Sequence, residues 1–210
     1  MVQPVKFWDK IADRYAKMPI EDEAAYQKKL EVTQSYLNPE MELLEFGCGT
    51  GSTALTHAPH VKQIRAIDFS SAMLDIARQK AADQGITNVS FEQASLEDLT
   101  VTEGSLDMVL GLSILHLLDD RAAAIAKVYQ MLKPGGFFVS STTCLGDTMP
   151  WFKFLVPLGK ALGFFPPLQV IQEQAILDDL KGVGFTIEHH WLPAPGKAVF
   201  IIAQKPQMPQ

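Results

Sequence analysis

A chain of 210 residues, 47% apolar and 20% charged, is long enough for one substantial core and short for two, so a single domain over 1–210 is expected. The formal net charge of -6 gives no attraction toward a phosphate backbone and argues against RNA or DNA as a partner. The opening MVQPVKFWDK lacks the basic and apolar regions of a secretory signal, and no run of about 18 uncharged apolar residues could span a bilayer; a cytoplasmic protein without a transmembrane segment is expected. Cys48 and Cys144 lie far apart, and the histidines show neither H-x3-H nor HExxH spacing, so no metal site is expected.

Two helices are predicted within 1–38, in FWDKIADRYAKMP and EDEAAYQKKLEVTQSYL, where apolar and aromatic residues recur every three or four positions. Strand-like and helix-like stretches then alternate. MELLEF (41–46) reads as a first strand and STALTHA as the helix after it. IRAIDF (64–69) is a second strand, followed by the helix SAMLDIARQKAADQ with Ser70 or Ser71 as its N-cap. NVSFEQA (88–94) and LDMVLGLS (106–113) are the third and fourth strands. RAAAIAKVYQML (121–132) is a helix that stops before Lys133-Pro134-Gly135-Gly136, and GFFVSSTTC (136–144) is the fifth strand. This alternation predicts a mainly parallel sheet with helices on both faces.

The segment DTMPWFKFLVPLGKALGFFPPLQVI (147–171) is aromatic-rich and broken by four prolines, too interrupted for one helix and too apolar for a free loop; it is predicted to pack on the rest of the molecule. QEQAILDDLKGVG is a further helix. FTIEHHW and AVFIIAQK, joined by Leu192-Pro193-Ala194-Pro195-Gly196, form a C-terminal antiparallel hairpin and bring the expected sheet to seven strands.

In LLEFGCGTGS (43–52), Gly47, Gly49 and Gly51 stand where the first strand turns into a helix, the place at which an open doubly wound sheet takes its ligand. A dinucleotide loop would carry GxGxxG; here serine occupies its last glycine position, and Glu45 stands two residues ahead of Gly47, where an acid favours a cation. Asp68 ends the second strand about twenty residues on, as a ribose-binding carboxylate would.

This combination resembles motif I of the class I S-adenosylmethionine-dependent methyltransferases. SFEQASLEDL, EGSLDMVLGLSILHLLDD and MLKPGGFFVSST resemble the third, fourth and fifth strand motifs of the same family, so the resemblance covers roughly 40–143. It implies an α/β, Rossmann-like class I fold, with 40–143 as the cofactor-binding core, 144–171 as a lid or substrate segment, and 172–210 as the closing helix and hairpin. The implied cofactor is S-adenosylmethionine, leaving S-adenosylhomocysteine as product. Glu45, Gly47, Cys48 and Gly49 would line its methionine portion, and Asp68 would hold the ribose. Phe69 and Met73 would flank the adenine, with ordinary core packing as the competing reading. Ser95 and Leu96 would reach the adenine edge; Ser95 departs from the aspartate of many relatives, which weakens that contact or passes it to Glu97. The carbonyl of Gly111 would accept from the ammonium, and Tyr15 matches a tyrosine that closes over the cofactor in many relatives.

Methyl transfer from a sulfonium is an in-line displacement that positioning alone can accelerate, so a catalytic base is not obligatory. His116, in SILHLLDD, follows the fourth strand where related enzymes often have histidine; the choice is between a general base and a structural residue. Trp151, Phe154 and Phe164 could wall a pocket for a small acceptor reacting at O, N, S or C, with Lys153 and Lys160 leaving a membrane-surface role open. The alternative function is a non-catalytic binder of the same cofactor, and the oligomeric expectation is monomer or homodimer.

Overall fold

A computed structural model describes residues 4–156 and 168–207. Its seven strands run in the order β3-β2-β1-β4-β5-β7-β6, and the chain divides into two compact units at Leu99 and Thr100.

The first unit holds α1 (Pro4–Ala16), α2 (Glu23–Gln34), β1 (Glu42–Phe46), α3 (Ser52–His57), β2 (Gln63–Asp68), α4 (Ser71–Gln84) and β3 (Val89–Gln93). β1 is buried from Leu43 to Phe46 and runs parallel to β2, which in turn runs parallel to β3. A strand covered on both faces reads as a continuous apolar run, and Glu45 is the one buried acid in β1. α4 begins at Ser70, whose hydroxyl accepts from Met73 N at 3.2 Å, and ends on Gly85 at φ 65. Asp22 caps α2 by accepting from Ala25 N at 3.0 Å.

The second unit holds β4 (Leu106–Leu112), α5 (Arg121–Met131), β5 (Leu132–Thr143), the short α6 (Leu145–Thr148), α7 (Glu173–Gly182), β6 (Thr186–Trp191) and β7 (Ala198–Gln204). β5 runs parallel to β4 and antiparallel to β7, and β6 pairs antiparallel with β7, so the C-terminal hairpin is as expected. Arg121 Nε donates to Asp179 Oδ2 at 2.6 Å and ties α5 to α7 in a largely buried ion pair.

Two expectations are corrected. Lys133-Pro134-Gly135-Gly136 does not separate α5 from β5; it lies inside β5 as a bulge, the register stepping from Leu106↔Leu132 to Met108↔Phe137. Glycine permits it, because Gly135 takes φ 82 and a Cβ on Gly136 would come to 3.0 Å from the carbonyl oxygens of Asp107 and Lys133. The aromatic segment, expected to pack down, does so only in part: Trp151 is 56% and Phe154 74% accessible on a 3-10 turn, Pro150–Phe154, whereas Phe152 is half-buried and Ile171 is buried. Phe164 and Lys160 lie outside the described residues.

Candidate functional site

The loop after β1 places three glycines in the left-handed region, Gly47 at φ 64, Gly49 at φ 53 and Gly51 at φ 74, with Cys48 and Thr50 between them. Two of these glycines answer different needs. A Cβ on Gly51 would stand 2.8 Å from Ala77 Cβ and 3.0 Å from the Phe91 ring, so its bareness lets α3 start against α4 and β3. A Cβ on Gly49 would meet nothing within 4 Å, which leaves that backbone open to approach from outside.

The loop is fastened to the end of β2. Cys48 N donates to the Ile67 carbonyl at 3.0 Å, Gly49 N donates to Asp68 Oδ2 at 2.8 Å, and Ser70 N donates to Asp68 Oδ1 at 2.9 Å. Asp68 is only 8% exposed, so it is not a solvent-facing helix cap; the N-cap of α4 is Ser70, itself buried. Burial raises the Asp68 pKa, these backbone N–H groups lower it, and the charge of Asp9 raises it further, with a net upward shift.

Glu45 lies beside this arrangement at 3% exposure. Its carboxylate accepts from Ala54 N, while Oε2 is buried without a hydrogen-bond partner among the described residues. Burial, opposed by the Ala54 N–H and reinforced by Asp68, pushes its pKa up to about 8. Neither carboxylate has an ion-pair partner among the described residues. A buried acid with an idle oxygen, next to open glycine backbone, suits a ligand bearing a positive group and hydroxyls.

α1 and α2 bring further groups to the same unit. Tyr15 is 44% exposed with its ring edge-on to Trp8 at 5.9 Å, and its phenol is raised by partial burial and by Asp68. Asp9, which the sequence reading passed over, accepts from Ser70 Oγ at 2.6 Å and Ala72 N at 3.3 Å, pinning α1 to the start of α4. Tyr26, also passed over, meets Thr53 Oγ1 at 3.4 Å and is raised by burial, with a smaller contribution from Glu45. Nothing in their spacing distinguished either from other residues on amphipathic helices.

Met73 is 2% exposed and Phe69 half-buried. Leu96 is 4% exposed. The Ser95 side chain and carbonyl are engaged locally: the hydroxyl donates to Asp98 Oδ2 at 2.9 Å and accepts from Asp98 N at 3.2 Å, and the carbonyl accepts from Leu99 N at 3.1 Å.

In the second unit, Gly111 is buried on β4 opposite Ser140. Ser113, at φ 56, is the one non-glycine residue with positive φ among the described residues, and its N–H donates to the Ser141 carbonyl at 2.7 Å. The 3-10 turn Leu115–Leu117 then carries His116, whose carbonyl accepts from Gln169 N at 2.7 Å. His116 Nδ1 is buried without a partner among the described residues, and burial lowers its pKa, keeping the imidazole neutral near pH 7.

Residues 43–136 match the family described as methyltransferase domain. Over this span the chain is similar to methyltransferases, and its fold is that of solved S-adenosylmethionine-dependent methyltransferases. The chain is 31% identical over 100 residues to the uncharacterized methyltransferase YcgJ of Bacillus subtilis (strain 168), covering 48% of this chain and 40% of that one. The crystal structure of YcgJ superposes with a TM-score of 0.72 at 18% identity, covering 86% of this chain and 99% of that one. A malonyl-[acyl-carrier protein] O-methyltransferase of Serratia marcescens is 31% identical over 110 residues, 52% of this chain and 41% of that protein. The geranyl diphosphate C-methyltransferase of Streptomyces coelicolor A3(2), in complex with Mg2+, geranyl diphosphate and S-adenosyl-L-homocysteine, shares the fold at a TM-score of 0.69 and 14% identity, covering 86% of this chain and 79% of that one. The chain spans less than half the length of the two curated relatives. No helix among the described residues is long and apolar enough to cross a membrane.

Proposed function

We propose that this protein transfers a methyl group from S-adenosylmethionine to a small-molecule acceptor. The observation that carries the reading is the buried, unpartnered Oε2 of Glu45 beside a glycine loop whose Gly49 is open outward and tied to Asp68. Glu45 would face the ammonium of the cofactor, Gly47 and Gly49 would admit its methionine backbone, and Asp68 would accept from ribose hydroxyls with the lone-pair capacity that the N–H groups of Gly49, Phe69 and Ser70 leave over. Phe69, Met73 and Leu96 would bound the adenine, with Tyr15 closing over the cofactor. The bound cofactor supplies an electrophilic methyl carbon on a sulfonium.

The protein's own part is to hold the acceptor atom in line with that carbon and to exclude water. His116, kept neutral by burial, would take the proton of a hydroxyl, thiol or ammonium acceptor. The relatives named above act at oxygen in one case and carbon in another, which supports a small acceptor without choosing its atom. The absence of a nucleic-acid partner belongs to the same reading, resting on the acidic composition.

The test is a thermal shift with S-adenosylmethionine, S-adenosylhomocysteine and NAD, followed by appearance of S-adenosylhomocysteine against small phenols, amines, thiols and lipid-like acceptors. Stabilisation by the first two ligands with acceptor-dependent product is expected. Stabilisation without turnover on any acceptor would leave a binding module of this fold, and no stabilisation would overturn the reading.

A further inference from the structure

Glu45 is a carboxyl group with no charge to oppose it. It sits at 3% exposure near the C-terminal end of a buried strand, and one hydrogen bond, from Ala54 N, reaches it while Oε2 has no partner among the described residues. The groups facing it are acids or neutral donors: Asp68 from β2, the Tyr26 phenol from α2, and the Cys48 thiol from the glycine loop. Asp68 in turn faces Asp9 and Tyr15 of α1. No lysine or arginine contributes to its electrostatics. An isolated buried carboxylate in such surroundings costs several kcal/mol, and protonation is the cheaper state.

We propose that Glu45 carries a proton while the glycine loop is empty and surrenders it when a ligand's ammonium arrives, so that cofactor binding releases one proton to solvent. The proposal rests on the cofactor reading above and adds a coupling to it. The balance is simple: the neutral carboxylic acid of Glu45 and the ligand's ammonium become a carboxylate–ammonium pair, and the acid's proton leaves as hydronium. No bond to carbon or sulfur changes. Because the Glu45 pKa stands at about 8, nearly a full proton is available for release near neutrality and affinity rises with pH up to that point.

The experiment is titration calorimetry of the full chain with S-adenosylhomocysteine at about pH 7, in phosphate and in Tris, whose ionisation heats differ; the difference in apparent enthalpy counts protons. Release close to one proton is expected, together with a Kd that falls by nearly tenfold from about pH 6 to about pH 7, a range in which the ligand's own amine stays protonated. Glu45→Gln keeps the shape and the acceptor for Ala54 N, and it is expected to bind with no proton release and a Kd changing by less than about twofold over the same range. Wild-type binding without proton release would overturn the coupling while leaving the cofactor reading intact. Equal release from wild type and Glu45→Gln would assign the proton elsewhere, with Asp68 and Asp9 as the acids to test, and would also overturn it. Failure of the wild type to bind at all would overturn both.

Discussion

Gly49 donates its backbone N–H to Asp68 Oδ2 across 2.8 Å, so the loop after β1 and the acid at the end of β2 act as one hydrogen-bonded unit. Asp68→Asn tests it. One amide oxygen cannot serve both Gly49 N and Ser70 N as two carboxylate oxygens do, and the NH2 group would face a donor. The expected cost is about 1–3 kcal/mol of stability, read by urea unfolding, with at least tenfold weaker S-adenosylhomocysteine binding. Unchanged affinity would remove Asp68 from the ribose.

The glycines should separate folding from binding. Gly51→Ala adds a methyl against Ala77 and Phe91 at a left-handed φ, and about 2–4 kcal/mol of stability should be lost. Gly49→Ala meets no neighbour, so only the backbone term of about 1 kcal/mol applies, yet its methyl projects where a ligand would approach. Gly49→Ala should therefore weaken S-adenosylhomocysteine binding far more than it lowers the melting temperature. Parallel losses in both measurements would make Gly49 a folding residue alone.

The sheet was legible because its signal is local: buried strands such as Leu43–Phe46 are apolar runs, and Ser70 and Gly85 mark the ends of α4 by side-chain chemistry. The motif acids Glu45 and Asp68 were legible for the same reason, each at a fixed offset from the glycines. The bulge in β5 was misread because Pro134-Gly135-Gly136 has turn composition; only its pairing with β4 reveals that the strand continues through it. Asp9 and Tyr26 carry no local mark, since their importance lies in partners 61 and 27 residues away. The exposure of Trp151 and Phe154 reversed an expectation drawn from hydropathy, which reports what a side chain would gain by burial and not whether a surface is there to bury it.

Asp9 holds α1 through two contacts at the first turn of α4, one to a hydroxyl and one to a backbone N–H. Asp9→Ala should loosen α1 with little effect on the sheet. Faster amide exchange over 4–16 with near-normal protection in β1 and β2 is expected, together with about 1–2 kcal/mol of lost stability. Unchanged exchange in α1 would show that its apolar face alone keeps it in place.

Two buried groups should shape the pH dependence of the ligand-free protein. His57, fully buried with neither ring nitrogen partnered among the described residues, has its pKa lowered to about 4. The unfolded chain therefore binds the extra proton below about 6.5, and stability falls as pH drops from there toward 4. Glu45 works in the other direction: its folded pKa of about 8 lies above the unfolded value of 4.5, so the folded state holds the extra proton and stability falls as pH rises between them. Between about 4.5 and 6.5 the two slopes oppose; above 6.5 only the Glu45 slope remains, at most about 1.4 kcal/mol per pH unit. Urea unfolding should show a decline from pH 6.5 to 8 that Glu45→Gln flattens, and a decline in acid that His57→Leu reduces. A wild-type profile flat from 6.5 to 8 would contradict the protonated state of Glu45.

Trp151 and Phe154 stand 56% and 74% exposed on the turn after α6, with Lys153 Nζ 5.2 Å from the Phe154 ring centroid. Side chains that bury so little support little of the fold, and the double replacement Trp151→Ala with Phe154→Ala should change stability by less than about 0.5 kcal/mol. If they wall the acceptor's place, the loss belongs to the acceptor alone: its KM should rise about tenfold or more, with S-adenosylhomocysteine affinity held within about twofold, since each large aromatic removed from a contact forfeits roughly 1–3 kcal/mol. Steady-state kinetics on whichever acceptor turns over, paired with calorimetry of the cofactor product, separates the outcomes. Equal losses of acceptor and cofactor binding would mean that the turn supports structure, and no loss of either would leave these rings free for another surface.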